Sequence, residues 1–92
     1  MEKEFIQQAE WLKAIAHPVR LCILQGLIEK GSCNVTDMQY CLELRQSTLS
    51  MHLQKLRTAG IIEGNRMGLE VIYRIKDDQT KDILRFILSN AY

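Results

Sequence analysis

Residues 46–60 read Gln46-Ser47-Thr48-Leu49-Ser50-Met51-His52-Leu53-Gln54-Lys55-Leu56-Arg57-Thr58-Ala59-Gly60. Leu49, Leu53 and Leu56 recur at helical spacing, so this stretch predicts a helix from about 46 to 59 that buries the leucines and stops at Gly60. Thr48, Met51, His52 and Lys55 then point elsewhere. The face made by Gln46, Ser47, Thr48, Ser50, His52, Gln54 and Lys55 offers hydrogen-bond donors and acceptors without one acid. A merely solvated helix face mixes both signs, whereas an acid-free polar face suits base edges and phosphates.

Downstream the period changes from helical to alternating. Val71, Tyr73 and Ile75 alternate with Glu70, Ile72 and Arg74, a strand whose antiparallel partner is Ile61 to Arg66, with a turn at Met67 and Gly68. Upstream, Asn34 three residues before Asp37 resembles a cap and opens a short helix carrying Val35, Met38 and Leu42; Leu44 and Arg45 form a tight connection. Pro18 separates a helix over about 4–16 from one over 18–30, which Gly31 ends and which turns Val19, Ile23, Leu24 and Leu27 inward. His17 precedes the proline as a cap or packing residue, and Asp77-Asp78 form the acidic first turn of a last helix over about 78–90. Helix, short turn, helix and hairpin is the order of a winged helix-turn-helix, whose second helix enters the major groove. The expected fold is α+β, mainly α, in the order α-α-α-α-β-β-α, as one domain over residues 1–92 without repeat or linker.

Phe5, Ala9 and Leu12 on the first helix and Ile83, Leu84, Ile87 and Leu88 on the last exceed what one small core hides. A chain of 92 residues buries only about 60–65 % of its unfolded surface. The first and last helices are therefore expected to join two copies in a homodimer, with Trp11 at that interface.

The net charge of +1 is unevenly spread: between residues 45 and 66, Arg45, Lys55, Arg57 and Arg66 face the single acid Glu63. No apolar run approaches the roughly 18 residues that cross a bilayer, and no signal-like start is present, so no membrane partner and a cytoplasmic location in a bacterium are expected. Cys22, Cys33 and Cys41 have no CxxC or CxC spacing, which argues against a disulfide framework or zinc knuckle. Cys22, between Leu21 and Ile23, reads as a small core residue, Cys33 as exposed and Cys41 as half-buried.

Three stretches carry a resemblance to a known family. Leu12-Lys13-Ala14-Ile15-Ala16-His17-Pro18-Val19-Arg20-Leu21, the run Gln46 to Arg57, and Ala59-Gly60-Ile61-Ile62 with Arg66-Met67-Gly68-Leu69-Glu70-Val71-Ile72-Tyr73 together resemble the ArsR/SmtB winged helix-turn-helix repressors over about residues 10–76. The likeness is closest to the small metal-independent members. It implies a homodimeric repressor of double-stranded DNA on an inverted-repeat operator. By the same resemblance Ser47, Thr48, Ser50, Met51 and His52 lie at the bases, Gln54, Lys55 and Arg57 on phosphates, and Arg66 on the wing near the minor groove or backbone, with Gln46 also among the DNA-binding residues. Arg45 departs from the family in standing where a capping serine is common, and Met51 in standing where a polar reader is common. Contact with a thymine methyl would suit Met51.

The family's cysteine metal site falls here on Asn34 and Thr36, and residues 78–92 hold no histidine, so no metal and no cofactor are expected. Redox-responsive members pair a cysteine of the second helix with one of the last; Cys22 has no such partner after Cys41, although a bridge among Cys22, Cys33 and Cys41 stays open. Two alternatives to the plain repressor remain: a winged-helix protein-interaction module and a thiol-based redox-sensing repressor. No enzyme is expected. Ser47 and His52 lie on opposing faces of one helix, and neither a phosphate loop nor paired carboxylates appear.

Overall fold

A computed structural model describes residues 1–89. The caps set the helices. α1 (Lys3–Ile15) stops short of Pro18, which opens α2 (Pro18–Lys30). His17 caps α2, its Nδ1 accepting from the Val19 N–H at 3.1 Å. At Gly31 the chain turns to φ +84°, a conformation glycine adopts without strain, and α2 ends. Asn34 caps α3 (Val35–Leu42) as its spacing predicts, Oδ1 accepting from the Asp37 N–H at 2.7 Å. α4 (Gln46–Thr58) follows across a short turn.

The sheet differs from the sequence reading in two respects. A two-residue strand β1 (Cys33–Asn34) precedes α3, too short to leave any alternation in the sequence, and pairs antiparallel with β3. Sheet order is β1-β3-β2, with β2 (Ile62–Met67) beside β3 (Glu70–Ile75). The hairpin turn also moves by one residue: Met67 still pairs with Glu70, so the loop is Gly68-Leu69, with Gly68 at φ +68°. Glycine first in a two-residue loop keeps the twist of the strands. Gly64 has a different reason, because a Cβ there would lie 2.8 Å from Tyr73 Cε1, and its absence lets the buried Tyr73 ring lie across β2.

Asp77 caps α5 (Asp78–Ser89) and is not part of its first turn, its Oδ1 accepting from the Thr80 N–H at 2.7 Å. That bond holds the Asp77 carboxyl below its ordinary range. Asn90, the expected last residue of the helix, lies outside the described residues. Leu24, Leu27, Leu49, Leu56, Ile61 and Leu84 are fully buried where α2, α4, α5 and the base of the hairpin meet. Outside that core, Phe5, Ile6 and Leu12 on α1 and Ile83, Phe86 and Ile87 on α5 remain exposed. Among the described residues no helix is long and apolar enough to cross a membrane.

Candidate nucleic-acid interface

α4 is seated by Leu49, His52, Leu53 and Leu56, an i, i+3, i+4, i+7 stripe turned into the core. Opposite that stripe, Ser47, Met51, Gln54 and Thr58 are exposed. Gln46, Ser50, Gln54 and Arg57 line a cleft of about 440 Å³ shared with Asn34 and with Leu69 and Glu70 at the wing. On the far flank Lys55 is exposed and Thr48 half-buried. Arg66 is exposed on β2, one residue before the tip strand pair ends. Arg45 stands at the N-cap of α4 without a side-chain cap bond, so the first-turn N–H groups are not closed off by their own cap.

His52 does not belong to this surface. It is 3 % exposed, and the Arg20 Nη1 donates to its Nδ1 at 3.1 Å. A guanidinium has only donors, so Nδ1 accepts and the neutral ring carries its proton on Nε2. The Arg20 Nε also donates to the Ala14 carbonyl at 2.6 Å, and the His17 ring lies 4.5 Å from that of His52. Burial first, then the nearby His17, Arg20 and Lys55, push the His52 pKa down. The expectation that His52 reads a base is therefore corrected: from this position the ring cannot reach one. It ties α4 to α2 and, through Arg20, to the end of α1. The spacing held the signal, because position 52 is the i+3 member of the stripe begun at Leu49.

The cysteine expectations also change. Cys22 is exposed, because the buried stripe of α2 is Arg20, Ile23, Leu24 and Leu27 and position 22 falls outside it. Cys33 is half-buried by its place on β1 opposite Tyr73, and this burial pushes its thiol pKa up. Cys41, in the last turn of α3, is exposed where it was expected to be half-buried. All three border one groove of about 240 Å³ between α2 and α3. Among the described residues no three His, Cys, Asp or Glu side chains are placed to hold a metal ion.

Residues 15–65 match the family described as a helix-turn-helix domain. The transcriptional repressor PagR of Bacillus anthracis is 40 % identical over 79 residues, 86 % of this chain and 79 % of that one. The chain belongs to the ArsR/SmtB family of helix-turn-helix repressors. The crystal structure of PagR superposes with a TM-score of 0.80 at 38 % identity, covering 91 % of this chain and 95 % of that one. HlyU from Vibrio cholerae gives 0.86 at 31 % identity over 97 % and 96 % of the two chains. A fragment of Mb0332 from Mycobacterium bovis, described as a homodimeric winged helix-turn-helix DNA-binding domain and possible ArsR-family regulator, gives 0.86 at 28 % identity over 92 % and 78 %. Like these relatives, the ArsR/SmtB member described here has the architecture of a transcription regulator and not of an enzyme.

Proposed function

We propose that this protein represses transcription in the cytoplasm by binding double-stranded DNA as a homodimer on an inverted-repeat operator. The acid-free outward side of α4 beside the wing carries the reading. Ser47, Thr48, Ser50 and Met51 are the base readers, Gln46 sits at the entry of the helix, and Gln54, Lys55, Arg57 and Arg66 hold phosphates. The dimer is supported by the exposed apolar residues of α1 and α5 and by the homodimeric Mb0332 domain. Two symmetry-related recognition helices place half-site centres roughly 34 Å apart, one turn of DNA.

Binding isotherms on operator and random duplex at two salt concentrations test it. Lys55→Ala or Arg66→Ala weakens both duplexes alike and lowers the salt slope by roughly one unit, because phosphate contacts act through counterion release. Ser47→Ala costs on the order of 1–3 kcal/mol on the operator and leaves random DNA almost untouched. Identical profiles for Ser47→Ala and Lys55→Ala would overturn the division of labour. Zinc and chelator are both expected to leave operator affinity within about twofold; a tenfold loss on adding zinc, about 1.4 kcal/mol of coupling, would reveal a metal site.

A further inference from the structure

The flank of α4 that faces α1 borders a cleft lined in part by Gln54 and Lys55, which the DNA reading places on phosphates, and in part by Arg20, which that reading does not use. Glu10 and Lys13 of α1, Arg20 of α2, and Lys55 and Thr58 of α4 line this cleft of about 620 Å³. Arg20 is only 8 % exposed, and among the described residues no carboxylate lies within ion-pair distance of it. Its Nε and Nη1 are used by the Ala14 carbonyl and His52. Among the described residues Nη2 has no hydrogen-bond partner, it is not closed off from solvent, and Arg20 is one of the residues that line the cleft. A carbonyl and a neutral imidazole supply dipoles to a largely desolvated guanidinium but no compensating charge. Lys13 and Lys55 add two more cations. Glu10, the one acid lining the cleft, is 3.6 Å from Lys13.

We propose that this cleft between α1 and α4 binds a small free anion through a phosphate or carboxylate group, with Arg20 as its principal contact and Lys13 and Lys55 at the rim. A guanidinium amino group beside two ammonium groups is suited to an oxyanion. The cleft is larger than one phosphate, so an organic body has room against Ala14 and Ala59. DNA is the other source of phosphate in this system. Gln54 borders both clefts and Lys55 is shared with the DNA reading, but Lys13, Ala14 and Arg20 line only the cleft on the α1 flank, away from Gln46, Ser50 and Arg57 on the flank towards the wing, and this favours a free ligand over the duplex. An anion held by Arg20 draws on the same guanidinium that fixes His52, so occupancy alters the seating of α4. That consequence rests on the DNA-binding reading; the binding itself does not.

The test titrates the full chain, without DNA, with inorganic phosphate and then pyrophosphate at constant ionic strength set by chloride, following Arg20 Nε–H and the amides of Ala14 and Lys55 by NMR. A saturable shift at these positions is expected, tightened by Glu10→Gln and weakened by Lys13→Glu about threefold each, the scale of an exposed charge. Both changes are on the exposed rim and leave the core intact. Shifts that rise linearly, match those in chloride, or ignore the rim substitutions overturn the site. Operator duplex added afterwards is expected to bind together with phosphate; displacement of phosphate by DNA, with the same Arg20 shift, would assign the seat to the duplex backbone and reject a free ligand. Saturable phosphate binding in a chain that binds no operator would sustain the cleft and reject the repressor reading.

Discussion

Ile87→Asp is expected to yield a monomer at micromolar concentration and to weaken operator binding by at least about 100-fold. Phe5, Ile6 and Leu12 on α1 and Ile83, Phe86 and Ile87 on α5 stay exposed after the core has taken Leu84. Burying an isoleucine side chain contributes about 1.5–3 kcal/mol, and a carboxylate in its place also suffers desolvation. Across a twofold interface each change occurs twice. Losing on the order of 6 kcal/mol per dimer raises its dissociation constant about 10⁴-fold. The monomer keeps one recognition helix and forfeits the linked second half-site, whose effect on affinity is about 10² or more. Sedimentation equilibrium and gel shifts on the same samples check both halves, with Tyr40→Asp, at an exposed position on α3, as a control that stays dimeric. A wild-type monomer at micromolar concentration would remove the dimer from the reading.

The contrast between Leu84 and Ile87 shows what the sequence could and could not tell. Both lie in one apolar run, and the excess of that run over a small core was evident, but its division between core and partner was not. That division depends on where α2 and β3 press against α5. Helix ends were legible wherever a single residue enforces them, as Pro18, Gly31 and Gly60 do by φ or by a missing N–H. β1 was not legible, since two residues carry no period and its existence depends on Tyr73 and Ile72 about forty positions away. The anion cleft was equally hidden, because α1, α2 and α4 each contribute only one to three of its residues. His52 was misread for another reason. A histidine among serines, threonines and glutamines looks polar and outward, yet its place at i+3 from Leu49 and i−4 from Leu56 puts it on the buried stripe, where Arg20 satisfies it.

From that network follows the expectation that His52→Ala lowers stability by about 2–4 kcal/mol, or the melting temperature by roughly 10–25 °C, without relaxing base preference. The change removes a buried ring and leaves Arg20 Nη1 without its acceptor. Operator and random DNA should weaken in the same proportion, unlike the pattern expected of Ser47→Ala. The pH dependence has a definite sign. Burial, with His17 and Arg20 of α2 and Lys55 of α4, holds the folded His52 pKa below the ordinary 6.5. Above 6.5 the ring is neutral in both states and its contribution is fully present. As pH falls through 6.5 towards the folded pKa, the unfolded chain takes up the proton first, and stability declines by up to about 1.4 kcal/mol per pH unit. Asp77, whose carboxyl is also held low, gives its own loss only in more acid solution. His52→Gln can still accept from Arg20 through its amide oxygen but does not titrate. Urea unfolding at pH 7.5, 6.5 and 5.5 should therefore show a falling midpoint in the wild type and a flatter one in His52→Gln. If instead His52→Ala kept its melting temperature and lost discrimination between operator and random DNA, the histidine would be a reader after all, and the buried tie between α2 and α4 would have no part in holding the recognition helix.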